Sequence, residues 1–175
     1  MADQRALYLL LSGASVRSEP VPELVRLLQR RGRRVTALST PTGARFHDLE
    51  TIAELTGEPV RTEFRAPGTG RSLPPSDAVL ACPWSFNSTN KTAQGFADTF
   101  AVALACEMIG RGVPTVIVPK AGAALAAHPA FERNLRDLEE IPAVSLLRGA
   151  DHQLPTWEEV ADAVDAATGT PERHA

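Results

Sequence analysis

Apolar residues run without a break from Ala6 to Leu11 and stop at Ser12-Gly13. A run this short, closed by a turn residue, predicts a strand covered on both faces, as in parallel sheets. Beyond it Val21, Leu24, Val25, Leu27 and Leu28 recur at helical spacing and predict a helix over 22–31. The same reading places further strands at 34–39, 60–64, 78–82, 115–118 and 143–147. Further helices are expected at 46–55, 92–110, 129–139 and 155–167, with Gly57 ending the first of these and Thr156 capping the last. The Pro/Gly-rich stretch 66–76 reads as a loop, 83–90 as a polar turn, and the tail 168–175 as frayed.

Strands alternating with helices along the whole chain predict an α/β fold. The expected form is a doubly wound (Rossmann/flavodoxin-like) parallel sheet of about six strands with helices on both faces. No internal repeat is visible, and residues 1–175 read as a single domain. Such sheets bind ligands past the carboxyl ends of their strands, where the strand order reverses. The polar segments there are 12–15, 39–42, 83–90 and 120–123, so these loops are the place to look for chemistry.

Composition narrows the class. Of the 175 residues 43% are hydrophobic and 22% charged, with a net charge of −3, which argues against a dedicated nucleic-acid binder. The basic run Arg30, Arg31, Arg33 and Arg34 reads as a solvated helix end. Cys82 and Cys106 make neither a disulfide scaffold nor a zinc site; both sit in apolar surroundings and read as buried free thiols, and no metal is expected. No run of about 18 apolar residues predicts a membrane span. The amino-terminal residues lead into a strand without a signal-peptide pattern, so a cytoplasmic setting is expected.

Ser12-Gly13-Ala14-Ser15 lies between a strand and a helix, where small residues let backbone N–H groups approach a phosphate. A tight turn needs Gly for steric reasons as well, so both readings stay open. The segment is neither a dinucleotide fingerprint nor a P-loop. Ser39-Thr40-Pro41-Thr42 offers three hydroxyls that serve equally as helix caps. In Pro83-Trp84-Ser85-Phe86-Asn87-Ser88-Thr89-Asn90-Lys91, Ser85 and Asn87 can offer hydrogen bonds to the edge of a planar ring. Trp84 and Phe86 flank them and can either pack on such a ring or fill the core.

Pro83-x-Ser85-x-Asn87-Ser88 followed by Asn90-Lys91, Gly95 and Ala97-Asp98 resembles a segment of the homo-oligomeric flavin-containing cysteine decarboxylases. That family includes phosphopantothenoylcysteine decarboxylases and the peptidyl-cysteine decarboxylases of lantibiotic biosynthesis. Gly13, Thr40, Phe46, Val118-Pro119 with Pro129 and Glu132-Arg133, and Pro155 with Glu158-Glu159-Val160 match it in order. The resemblance implies FMN bound between neighbouring subunits of a trimer, or of a dodecamer built from trimers. It places Gly13, Ala14, Ser15, Thr40 and Thr42 near phosphate and ribityl groups. Ser85, Phe86, Asn87 and Ser88 would hold the phosphate and flavin, and Gly95 and Asp98 would serve packing and helix placement.

The chain also departs from that family. The family's catalytic His lies about eight residues before the Asp that opens the fourth strand, a spacing that lands on Thr69 when counted from Asp77. The Asn that holds the substrate carboxylate is replaced by Gly122 in Pro119-Lys120-Ala121-Gly122. Lys120 and His152 are candidates to supply an anion-binding charge and an acid or base; otherwise they are exposed residues of a strand end and a loop. The resemblance therefore implies a flavoenzyme of altered redox or decarboxylation chemistry acting on a small molecule or peptide. Alternatives are a non-catalytic regulatory or partner subunit, paired with a related flavoprotein, and a flavin prenyltransferase-like enzyme.

Overall fold

The computed structural model describes residues 5–16 and 19–169. Five strands form one parallel sheet: β1 (Arg5–Leu11), β2 (Arg33–Ser39), β3 (Ala78–Ser85), β4 (Thr115–Lys120) and β5 (Val144–Leu146). Their order is β2-β1-β3-β4-β5, the flavodoxin-like order, which reverses direction between β1 and β3. Leu9 stands opposite Ala37 on one side and Leu80 on the other.

The unbroken apolar run of β1 follows from its central place, because successive side chains enter different cores. Leu7, Leu9 and Leu11 pack with Leu24 and Val25 of α1 (Val21–Arg30), Ile52 of α2 (Leu49–Thr56) and Val160 of the last helix. Tyr8 and Leu10 pack on the opposite face with Trp84 and, from α4 (Phe100–Gly110), Ala101, Ala105 and Met108. Between β3 and α4 lies α3 (Phe86–Gln94). After β4 come the single turn α5 (Ala123–Ala126) and α6 (Pro129–Glu139), and α7 (Trp157–Thr168) closes the fold.

Several expectations need correction. The strand expected over 60–64 is absent, leaving five strands rather than about six. Val60 packs on the core, but only Arg61 pairs with the sheet, through a single bridge to Leu38 in which the Ser39 N–H donates to the Arg61 carbonyl at 2.9 Å. Glu63 and Phe64 are exposed, so beyond Thr62 the segment has no buried face to hold a ladder. The helix expected over 46–55 begins at Leu49, where the Asp48 side chain accepts from the Thr51 N–H; Phe46 and His47 belong to the turn before it.

The segment 83–90 is not a turn. β3 continues to Ser85, and α3 starts at once. The helix expected over 92–110 is two helices, broken where Gly95 takes a left-handed φ of 74°. Periodicity missed α3 because its inward face is Ser88, Thr89 and Thr92 instead of aliphatic residues. Trp84 points into the core, fully buried, with its Nε1–H donating to Thr92 Oγ1 at 3.1 Å.

The basic run is only partly solvated. Arg33 is 3% exposed and donates to Asp165 at 2.7 Å, and Arg31 pairs with Asp162 at 2.6 Å, with Asp165 and with Glu158. These pairs tie β2 and the end of α1 to α7. Thr156 caps α7 as expected: its hydroxyl accepts from the Glu159 N–H at 3.3 Å while Glu159 accepts from the Thr156 N–H at 2.8 Å. Thr168, expected to fray, is the last residue of α7 and accepts from Arg33 at 2.7 Å; residues 170–175 lie outside the described residues. Cys82 is fully buried and burial pushes its thiol pKa up, whereas Cys106 is half-buried. Among the described residues no helix is long and apolar enough to cross a membrane.

Candidate functional site

At the carboxyl edge of the sheet, where the strand order reverses, lies a cavity of about 740 Å³, within the usual range for a small-molecule site. The loop after β1 contributes Gly13, Ala14 and Ser15, and the loop after β2 contributes Thr40, Thr42 and Phe46. Ser85, Phe86, Asn87 and Ser88 line it from the start of α3. Lys120 and His152 are in the wall as well, as is Gly122. The structure thus brings Gly13, Ala14, Ser15, Thr40, Thr42, the 85–88 residues, Lys120 and His152 to one place, and leaves Trp84 in the core.

Local physics explains the placement. β3 gains one residue on β4, since Ala81 faces Ile117 and Trp84 faces Pro119. The irregularity lies between Ala81 and Trp84, a stretch that includes Pro83, which has no N–H to give a ladder. Ser85 then ends the strand and caps α3, its Oγ accepting from the Ser88 N–H at 3.2 Å. The first N–H groups of α3 have no intrahelical partner, and its first turn holds no acidic residue. That is a setting for an anion.

The loops after β1 and β2 interlock through two glycines. A Cβ on Gly13 would sit 2.5 Å from Thr42 Cγ2, and one on Gly43 would sit 2.4 Å from Ser39 Oγ and 3.0 Å from the Ser12 backbone. Buried Ser12 joins this pair to β3. Its Oγ donates to the Pro83 carbonyl at 2.8 Å and accepts from the Ser85 N–H at 2.7 Å. His47 Nε2 reaches the Ser12 carbonyl at 2.9 Å, and the Thr40 Oγ1 accepts from the Gly43 N–H at 3.0 Å. Burial holds the His47 pKa below its ordinary value, only partly offset by that hydrogen bond.

The lining carries two lysines and one carboxylate, Asp151. Lys91 pairs with Asp98 at 2.5 Å and holds its carboxyl below the usual range. Lys120 Nζ donates to the His152 carbonyl, tying β4 to the short 150–152 turn. In that turn Asp151 and His152 both adopt left-handed φ values, 49° and 58°. Phe86 packs at 5.3 Å from Phe131, so one edge of the cavity is a fixed aromatic wall.

Sequence reasoning missed Thr99, Val102, Leu125 and Asp151 in the wall, and His47 behind it. The Thr99 hydroxyl is buried with no hydrogen-bond partner among the described residues, at the start of α4. Its only signal in the sequence is one polar residue ahead of the apolar run that forms α4. Of the two residues thought able to stack on a ring, only Phe86 lines the cavity.

The fold is shared with solved proteins. SpaF, an FMN-dependent cysteine decarboxylase, superposes with a TM-score of 0.72 at 23% identity, over 96% of this chain and 99% of that one. A point mutant of PPC decarboxylase gives 0.74 at 18% identity, over 93% and 96%. The FMN-binding protein AtHal3 gives 0.73 at 18% identity, over 94% and 96%. None of the curated proteins compared matches the sequence. The family model described as Flavoprotein matches residues 1–169, and the chain belongs to that family.

Proposed function

We propose that this chain binds FMN in the cavity at the β1/β3 crossover and works as a flavoenzyme whose chemistry differs from cysteine decarboxylation. The observation that carries the reading is the convergence of the Gly13 turn, Thr40 and the Ser85-capped start of α3 on one cavity. The donor set fits the group. The amino end of α3 and Ser15 suit a phosphate, Thr40 and Thr42 a ribityl chain, and Phe86 a flat ring. The buried Thr99 hydroxyl, without a hydrogen-bond partner among the described residues, adds a polar atom at that wall that a ligand would satisfy. Bound FMN would supply two-electron redox chemistry, while the protein orients the substrate and excludes water.

The departure from decarboxylation rests on the resemblance. Thr69 falls in an exposed loop where the family's His is expected, and Gly122, in the position of its Asn, offers no side chain. Lys120, in the same wall, supplies the positive charge we assign to holding a substrate anion. Thr69 at the position of the family's His favours one second reading, a flavin-binding partner subunit completed by a related chain. We also propose assembly into a homo-oligomer in the cytoplasm; Phe64 and Phe96 are more than half exposed and would suit burial between copies.

The deciding experiment is the absorption spectrum of the purified protein between about 350 and 500 nm, followed by FMN titration. Yellow protein that releases FMN on denaturation supports the reading. Folded, colourless protein that takes up no added FMN ends it. Anaerobic bleaching of bound flavin by thiol or peptide substrates separates the enzyme from the partner subunit, and light scattering reports the assembly.

A further inference from the structure

We infer that His47 is a positioning residue: by donating from Nε2 to the Ser12 carbonyl, it pins the Gly13 turn to the loop after β2, so that this wall of the cavity is shaped before a ligand arrives. The inference deepens the flavin reading and rests on it for the identity of the ligand. A carbonyl oxygen only accepts, so the His47 Nε2 must carry the hydrogen. The ring does not line the cavity. It acts through Ser12, whose neighbour Gly13 does.

Ser12 is the node at which the ends of three strands meet. Its carbonyl also accepts from the Ala14 N–H at 2.8 Å, closing the turn, and its hydroxyl is shared between Pro83 and Ser85. The contact from the β2 side comes from His47, 35 residues along the chain. Close packing of Gly43 on the Ser12 backbone brings the two loops near, but packing alone has no direction. The hydrogen bond supplies it. Phe46 precedes His47, and its ring lies 3.5 Å from where a Gly13 Cβ would stand, so anchoring His47 places Phe46 at the wall too. A turn held in its bound shape does not have to be ordered on binding, which is the general source of affinity by preorganisation.

The test compares wild type with His47→Ala, His47→Phe and His47→Gln. Phenylalanine keeps ring volume without a donor; glutamine keeps an N–H at a similar reach. Amide hydrogen exchange at 13–16 is measured without flavin, FMN affinity by titration, and the urea midpoint controls for global unfolding. His47→Ala and His47→Phe should speed exchange at 13–16 and weaken FMN binding about three- to tenfold, the range for losing one hydrogen bond. His47→Gln should recover most of both. Unchanged exchange in the first two variants, or a His47→Gln protein as loose as His47→Phe, overturns the pin. Wild-type protein that refuses FMN overturns the flavin reading instead, and exchange at 13–16 still decides the pin.

Discussion

Gly13 and Gly43 are not equivalent glycines. A Gly13 Cβ would meet only side chains, the exposed Thr42 at its Cγ2 and Cβ and then Phe46, in a loop that can shift outward, whereas a Gly43 Cβ would meet Ser39 Oγ and the buried backbone of Ser12. Gly43→Ala should therefore cost about 1–3 kcal/mol of stability by overpacking, read from a urea midpoint. Gly13→Ala should cost less stability but displace Thr42 and Phe46, and so lose FMN affinity first. His47 carries a pH signature. Its pKa is held below its ordinary value of 6.5 by burial, so the unfolded chain binds more protons beneath that value. Stability is full above about pH 6.5 and falls as acid is added toward the folded-state pKa. Replacing His47 with Gln removes this component, and unfolding free energies measured between about pH 7 and 5 should lose part of their slope.

At the scale of elements, α3 and α7 depend on different forces. The buried residues of α3 are Ser88, Thr89 and Thr92, with only Ala93 near its end adding an aliphatic contact, so its start depends on Ser85. Ser85→Ala should destabilise the protein by about 1 kcal/mol, the usual cost of a lost cap, and reduce FMN affinity in the same titration. α7 is held by an apolar face and by the Arg33–Asp165 pair, in which the arginine side chain is 2% exposed. Asp165→Asn leaves that buried charge with poorer compensation and should cost roughly 3 kcal/mol at neutral pH. Burial pushes the Asp165 pKa upward, but hydrogen bonds from Arg33 and Arg31 outweigh it and hold it below 3.8. Its contribution is thus present above about pH 3.8 and disappears as pH falls through the folded value. The gap between wild type and Asp165→Asn in urea unfolding should close only in that acid range.

The whole molecule answers to ligand by mass action. FMN at about 100 times its dissociation constant should add about 2.7 kcal/mol to stability. For a chain of this size that raises the melting temperature by roughly 5–10 °C, observable in a thermal shift. Riboflavin, lacking the phosphate, should give a smaller shift if the amino end of α3 and the Gly13 turn hold that group. Equal shifts for both compounds would place the phosphate elsewhere.

Much of this architecture was legible from pattern alone. The continuous apolar runs at Ala6 to Leu11 and Ala78 to Cys82 could be buried only between two layers, which implied a parallel sheet and put function at its carboxyl edge. Turn residues and hydroxyls at strand ends marked the loops that line the cavity. Tertiary structure decided the rest, because it turned on partners distant in sequence. A polar stretch such as Phe86 to Gln94 is helical only because its hydroxyls pack and bond inside the fold. Arg33 is buried only because Asp165 comes to it across 132 residues. His47 gained its place from a carbonyl on another loop, and no local periodicity encodes a contact between two loops that the sheet alone brings together.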